Sequence, residues 1–372
     1  MDWLTASEAL GLLGTQKQTL YANVSRGRIK ARPDPADSRR SLYRGDDVRR
    51  LAQRAVGRRK QEAIATEAMH WGEPVLRTSI STIENGVLVY RGLDACLLAE
   101  AATLEDIAAL LWQTSVTLPP VATEGGSGLS SAFLALAERA GKWVPSRDLA
   151  AEASIVLATL AQALMGPERA TEPLHIRLAL HWNRQEAADA IRRALVLLAD
   201  HELNASTFAA RVTVSTGASL WAGTLSGLAT LSGPRHGLAS RSIAALVDDI
   251  GHASDAPEDA LRDWLGEGRS VPGMGHPLYP DGDPRCAALL ASFDPPGSFL
   301  IYSAAAQDLT GDMPNIDFAL AALGARYDLP KDAGVMLFAL GRSVGWLAHM
   351  MEQIASGEQI RPRARYVGVQ LG

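Results

Sequence analysis

The segment Gly273-Met274-Gly275-His276-Pro277-Leu278-Tyr279, with Asp283-Pro284-Arg285 close behind it, sets a histidine in a loop punctuated by glycine and proline. Glycine lets backbone and ligand approach closely, and no bulky neighbour hides the imidazole. Gly233-Pro234-Arg235-His236-Gly237 repeats the pattern. His201 lies in a polar run, Ala199-Asp200-His201-Glu202-Leu203-Asn204, at the end of an apolar helix. His70, His175, His181 and His252 have no such setting, and His349, on an apolar helix, reads as a hydrogen-bonded core residue. Outward from these loops nearly everything has helical spacing: Leu104–Trp112, Leu149–Met165, Ala187–Leu203, Ala205–Leu231, Arg241–Ile250 and Gly334–Ile354. Further breaks fall at Pro119-Pro120 with Gly125-Gly126-Ser127-Gly128, and at Asp294-Pro295-Pro296-Gly297. Beyond a hairpin near the N-terminus, strands are expected only at Thr78–Ile83 and Val87–Tyr90, around a turn at Gly86. The body is therefore expected to be mostly α. Small residues stud its Ala205–Leu231 segment: Ser215, Gly217, Ala218, Ala222, Gly223, Ser226 and Gly227. They permit close helix–helix approach, inside one subunit or across a dimer, and periodicity does not choose between the two.

The chain has 372 residues, 47% hydrophobic and 21% charged, which excludes wholesale disorder and a fibrous repeat. That length fits two or three domains. Cys96 and Cys286 are its only cysteines, which excludes a disulfide scaffold and a Cys-rich zinc site and fits a reducing compartment. Apolar stretches such as Ala153–Gly166 fall short of the roughly 20 residues of a membrane span, and Met1-Asp2-Trp3 opens no signal sequence. The expectation is a soluble cytoplasmic protein with no metal and no membrane partner. Charge is uneven: residues 1–60 hold 14 Lys/Arg against 6 Asp/Glu, a balance of +8, while the remaining 22 basic and 35 acidic residues give −13. A basic head on an acidic body suggests two modules with different partners.

In the head, Thr5-Ala6-Ser7-Glu8 is a capping box ahead of the apolar stripe Ala9, Leu10, Leu13. Thr15-Gln16-Lys17-Gln18 is a second, opening a helix through Leu20, Tyr21 and Val24. Ile29–Arg44 reads as a hairpin around Pro33-Asp34-Pro35, and Asp46-Asp47-Val48 starts another helix. This order resembles the winged helix-turn-helix of the excisionase and MerR-like families over residues 1–58. The resemblance implies a DNA partner, with Gln16, Lys17, Gln18 and Tyr21 facing the major groove and Arg39, Arg40 and Arg44 on phosphates. The alternative is a module that packs on its own body or helps dimerisation. Arg58-Arg59-Lys60 opens a linker over 59–74.

Seven segments in order resemble the citrate synthase family over roughly residues 75–370: Asp200–Phe208, Gly233–Gly237, Gly273–Tyr279, Asp283–Arg285, Asn315-Ile316-Asp317-Phe318, Gly341–Trp346 and Arg361-Pro362-Arg363. Thr78–Ser81 and Tyr90-Arg91-Gly92 are similar to the family's N-terminal hairpin. The resemblance implies a two-domain helical fold, the large domain over 75–235 and 325–372 and the small one over 236–324. It also implies a homodimer that condenses acetyl-CoA with oxaloacetate and hydrolyses the citryl thioester, with acyl-CoA as substrate and no cofactor. Asp317 would take the methyl proton, His236 would hydrogen-bond the thioester oxygen and His276 would protonate the ketone oxygen. A carboxylate is too weak a base for that carbon acid unless the enolate is stabilised in a closed, dry site. The turn at His236 opens a helix, whose N-terminus would keep the imidazole neutral. Arg285, Arg342 and Arg361, with His201, match the residues that bind oxaloacetate's carboxylates. The residue matching Arg361 reaches across from the neighbouring subunit. Backbone at Pro272, Gly273, Met274 and Gly275 matches the CoA pocket.

Pro277, Pro280 and Arg235 depart from the family pattern around the acyl-CoA side, which leaves substrate choice open among citrate synthase, 2-methylcitrate synthase and citryl-CoA lyase. A reading from another class is a DNA-binding regulator whose body senses acyl-CoA or a dicarboxylate. The presence of a base argues against it, because binding alone needs none.

Overall fold

The computed structural model describes residues 3–13, 20, 23–24, 29–34, 41–49, 76–122, 126–142, 146, 148–166, 171–253, 257–267, 269–364 and 368. The chain divides into two compact units, Met1–Leu76 with Arg361–Gly372, and Arg77–Ile360.

In the first unit, β1 (Trp3–Leu4), β2 (Ala31–Pro33) and β3 (Ser41–Arg44) form an antiparallel sheet in the order β1-β3-β2. The expected hairpin is present, and β1 adds a third strand that the sequence reading did not include. α1 (Ala6–Leu13) starts at the expected capping box: Thr5 N and Oγ1 both donate to Glu8 Oε2 at 2.8 Å. Ala9, Leu20, Ile29, Tyr43 and Val48 pack together as this unit's core. Residues 45–49 are helical, as expected from Asp46-Asp47-Val48, and Asp47 Oδ2 accepts the Lys30 N–H at 3.2 Å. Arg44 lies in β3 with its Nε 3.8 Å from an Asp46 carboxylate oxygen. Gln16, Lys17, Gln18, Tyr21, Arg39 and Arg40 lie outside the described residues.

The second unit opens with β4 (Ser81–Glu84), β5 (Val87–Tyr90) and β6 (Leu93–Asp94), an antiparallel meander. Asn85 and Gly86 both have positive φ, the two-residue turn that matches strand twist. The first strand starts later than Thr78 because the Ser79 N–H is already committed, donating to Glu352 Oε1 at 2.7 Å. Helices follow: α2 (Ala95–Leu98), α3 (Leu104–Trp112), α4 (Leu129–Ala140), α5 (Leu149–Met165), α6 (Leu174–His181), α7 (Ala188–Leu198), α8 (Ala205–Ser215), α9 (Leu220–Leu231), α10 (Ala239–Ala253), α11 (Pro257–Gly266), α12 (Pro284–Leu290), α13 (Gly297–Thr310), α14 (Ile316–Arg326) and α15 (Ala333–Ser356). α15 runs through the core, with Leu337, Leu340, Trp346, Leu347 and Met350 fully buried.

Two helix expectations are corrected. Ala205–Leu231 is two helices, because Gly217 adopts φ +89° and Ser219 then caps α9, accepting the Ala222 N–H at 3.3 Å. Ala187–Leu203 stops at Leu198, after a single 3-10 turn at Gln185–Ala187. There the orphan carbonyls of the helix end find other donors. Tyr90 Oη lies 3.1 Å from Val196 O, Arg342 Nε donates to Leu198 O at 2.8 Å, and Gly345 N donates to Ala199 O at 3.0 Å. The freed turn carries His201. Part of the small-residue stripe is internal: a Cβ on Gly227 would sit 2.8 Å from the Trp346 ring, and one on Gly223 would strike Met350.

Candidate active site

Four loops and helix starts, together with α15, supply the site. Asp283 caps α12, accepting the Arg285 N–H at 3.0 Å, and Pro284 sits at its first turn. The same carboxylate grips the Arg285 side chain bidentately, at 2.9 Å from Nε and 2.7 Å from Nη2. It also accepts the Ile316 N–H at 3.0 Å, which ties α12 to the start of α14. Asn315 caps α14 through the N–H groups of Asp317 and Phe318. Its own N–H reaches Gly273 O and its Nδ2 reaches Gly275 O, both at 2.9 Å. The loop Pro272–Gly275 is thus laced to the helix that carries Asp317. Gly273 has φ +78°, and a Cβ there would meet Ile243 at 2.7 Å, so only glycine fits this loop position.

His201 and His276 meet edge to face, ring centroids 5.2 Å apart, and Tyr279 Oη lies 3.0 Å from His201 Nε2. The Arg285 guanidinium stands 5.3 Å over the Tyr279 ring. On the other side, Phe338 touches both His236, at 5.5 Å between centroids, and the Arg342 guanidinium, at 5.0 Å. Arg342 is buried, and among the described residues nothing bonds its two Nη groups. His276 Nδ1 accepts the Leu278 N–H at 3.2 Å, so in the neutral ring the proton sits on Nε2. His236 Nε2 lies 2.9 Å from Ser206 Oγ, which receives the Trp346 indole N–H at 3.1 Å and has Asn204 Oδ1 2.7 Å away.

Charge is finely divided here. Burial and the positive charge of Arg342 push His236 down to about 4. Burial and Arg342 are by themselves sufficient causes for the neutrality expected of His236. Burial and Arg285 do the same to His276, also about 4, with Asp283 opposing. His201 falls well below the usual imidazole range, through burial, Arg285 and Arg342. Burial, reinforced by Asp283, raises Asp317 to about 6 against the pull of Arg285 and Arg342, and its Oδ1 is buried with no hydrogen-bond partner among the described residues. Burial lowers Arg342 to about 10, so it stays cationic at neutral pH.

Of the expected site residues, His201, His236, His276, Arg285, Arg342 and Asp317 act on one another electrostatically through the two guanidiniums, and the Pro272–Gly275 loop is bonded to the helix start that carries Asp317. Arg361 is exposed and falls in the other compact unit. Sequence reasoning gave no role to Ser206, Tyr279, Asp283 or Asn315. The one signal was their place inside the quoted segments, each within a few residues of a candidate. Among the described residues, no group of three or more His, Cys, Asp or Glu side chains is placed to hold a metal ion, and no helix is long and apolar enough to cross a membrane.

The site thus gathers two guanidiniums, three imidazoles of lowered proton affinity and one carboxylate of raised proton affinity among helices, a combination that marks a functional-site candidate. The family model for the citrate synthase C-terminal domain matches residues 122–363. The chain belongs to the citrate synthase family. It is 37% identical over 191 residues to citrate synthase of Haloferax volcanii, a match covering 49% of this chain and 50% of that one. It thus spans about half the length of that relative. It is 29% identical over 352 residues to 2-methylcitrate synthase of Shewanella oneidensis, covering 80% and 94%. The solved structure of citrate synthase from Thermotoga maritima superposes with a TM-score of 0.66 at 25% identity, covering 82% of this chain and 97% of that one.

Proposed function

We propose that this protein condenses a short acyl-CoA with oxaloacetate and hydrolyses the resulting thioester, as a citrate synthase. Oxaloacetate lies between Arg285 and Arg342, one carboxylate on the Arg342 Nη groups and the other on Arg285 Nη1, the nitrogen that Asp283 does not grip, with His201 as a further contact. Asp317 takes a proton from the acyl carbon next to the thioester carbonyl. The enolate oxygen accepts a hydrogen bond from His236. Ser206 Oγ donates to Asn204 Oδ1 at 2.7 Å; turning that proton to His236 Nε2, 2.9 Å away, leaves the imidazole proton on Nδ1, the tautomer that donates to an oxyanion. The enolate carbon attacks the ketone carbon, the new carbon–carbon bond forms, and the ketone oxygen takes its proton from His276 Nε2. Water then cleaves the thioester and releases the CoA thiol. The Pro272–Gly275 backbone contributes to the CoA pocket.

The observation that carries this reading is Asp317, buried in the field of Arg285 and Arg342 and raised to about 6, while the imidazoles in the field of the same two guanidiniums stay neutral at pH 7. A carboxylate so destabilised is a stronger base than one in water, and neutral imidazoles donate hydrogen bonds without a competing positive charge. Thiol release with acetyl-, propionyl- and butyryl-CoA against fixed oxaloacetate tests it, for wild type and Asp317→Ala. No release by the wild type with any of them refutes the reading. The similarity to a 2-methylcitrate synthase favours propionyl-CoA as a second substrate, which the same rates measure.

Finer parts of the reading are the large and small domains, 75–235 with 325–372 and 236–324, and a homodimer in which Arg361 serves the neighbouring subunit's site. The basic head is read as a winged helix-turn-helix on DNA, supported by its +8 balance and the β2–β3 hairpin. A salt-dependent gel shift of the full chain on random duplex tests this, and no shift at low salt removes it.

A further inference from the structure

The turn that carries His201 is gripped from behind by groups that the reaction does not use. Asp200, fully buried, turns its side chain away into α15 and β4: Oδ2 accepts from His349 Nε2 at 3.1 Å and from Ser81 Oγ. Gly345 leaves the room, since any Cβ there would strike Asp200 Oδ1. Ser81 Oγ also accepts the Glu202 N–H at 3.1 Å, so one hydroxyl brackets His201 through both chain neighbours. Glu202 holds φ +50°, rare for a residue with a side chain, and its Oε1 accepts the Ile83 N–H at 2.7 Å. His349 is oriented in turn. Arg211 Nη1 donates to its Nδ1 at 3.3 Å, which puts the ring proton on Nε2, toward Asp200. Arg211 is anchored by Glu352 at 3.0 Å, and Glu352 takes the Ser79 N–H. The chain of bonds thus runs through β4, α8 and α15 and ends on the residue next to His201.

We propose that Ser81, Asp200 and His349 are positioning residues that hold His201, and the adjoining Leu198 carbonyl that receives Arg342, in the geometry that accepts a dicarboxylate. The inference rests on the oxaloacetate role assigned above. A buried carboxylate is costly unless donors meet it, and among the described residues His349 and Ser81 are the side-chain donors to Asp200, both on Oδ2, while Oδ1 has none. Removing either one frees the turn to move or its carboxylate to take a proton, and His201 loses its fixed direction while the acyl-CoA side is untouched.

The test compares Ser81→Ala, His349→Leu and His349→Gln as full-length proteins, by steady-state kinetics with acetyl-CoA and by calorimetric titration with oxaloacetate. Loss of a hydrogen bond to a buried charge predicts an oxaloacetate Kd and KM raised about tenfold or more in Ser81→Ala and His349→Leu. The acetyl-CoA KM stays within about twofold. His349→Gln places an amide N–H near the position of Nε2 and restores oxaloacetate affinity to within about threefold of wild type. The inference is overturned by unchanged oxaloacetate constants, by equal losses for both substrates, or by a Gln variant as weak as the Leu variant. If His349→Leu does not fold, Ser81→Ala and His349→Gln decide the matter between them. A wild type that neither binds oxaloacetate nor releases thiol overturns the proposed function and this inference together; an active wild type with insensitive variants overturns this inference alone.

Discussion

Replacing Asp317 with asparagine is expected to stabilise the ligand-free protein while abolishing its turnover. Burial, with Asp283 nearby, lifts this carboxyl from 3.8 to about 6. A tenfold change in proton affinity is worth about 1.4 kcal/mol, so keeping the carboxylate ionised well above pH 6 costs the folded chain about 3 kcal/mol. Asparagine removes that cost and leaves a buried amide short of partners, an offset of about 1 kcal/mol. The expected net gain at pH 8 is about 2 kcal/mol, read as a higher urea midpoint. Between the two proton affinities the folded state binds more protons than the unfolded one, so wild-type stability from this group falls as pH rises from about 4 to about 6. The advantage of the variant must therefore shrink by about 1.4 kcal/mol on going from pH 8 to pH 5. Turnover should fall by about 100-fold or more, the usual worth of a positioned base. A variant no more stable than wild type at pH 8, or one whose advantage does not change with pH, would refute the electrostatic account of Asp317.

The same carboxyl should govern the acid limb of activity. kcat/KM for acyl-CoA with oxaloacetate saturating is expected to fall tenfold per pH unit on a single proton, below a value at or above the about 6 of ligand-free Asp317, with His236 and His276 starting lower, at about 4; a limb near 4 would assign the base elsewhere. Ser206→Ala removes the His236 partner and leaves the Trp346 N–H without its acceptor, for a loss of about 1–3 kcal/mol in urea unfolding and a lower kcat at unchanged oxaloacetate KM. Gly227→Ala puts a methyl 2.8 Å from the Trp346 ring and should cost about 1–3 kcal/mol by overpacking, with a change in tryptophan emission; a neutral outcome would mean that α9 and α15 do not pack as described.

What was legible in the sequence follows from how local its causes are. Leu104–Trp112 and Leu149–Met165 match the structure because Thr103 and Asp148 cap them with their own side chains. The end of α7 was not legible, since the donors that take its carbonyls, Tyr90, Arg342 and the Gly345 N–H, lie about 100 residues or more away in the chain. The split at Gly217 was hidden because apolar spacing continues on both sides, and only the sign of φ ends the helix. Among site residues, His236 and His276 announce themselves by glycine-flanked loops. Asp317 carries no comparable local mark and entered through resemblance alone, and its raised proton affinity is a product of packing. His349 read correctly as a bonded core histidine, but its partner at Asp200 is a long-range fact.

On the proposed reaction, the charge layout lets one site accommodate a dianion and still do proton chemistry. Each guanidinium is balanced in advance, Arg285 by the fork of Asp283 and Arg342 by the field of Asp200, so neither collapses onto Asp317. The positive charge of Arg285 and Arg342 is also part of what keeps His276 and His236 neutral. On the proposed reaction, two incoming carboxylates offset that positive field. Their arrival raises the proton affinity of both imidazoles and of Asp317, which strengthens the base just as the carbon acid is presented. On that reaction, binding of the dicarboxylate would tune the groups that act on the acyl-CoA, so that the acyl-CoA proton is expected to leave at an appreciable rate only from a site already holding the dicarboxylate.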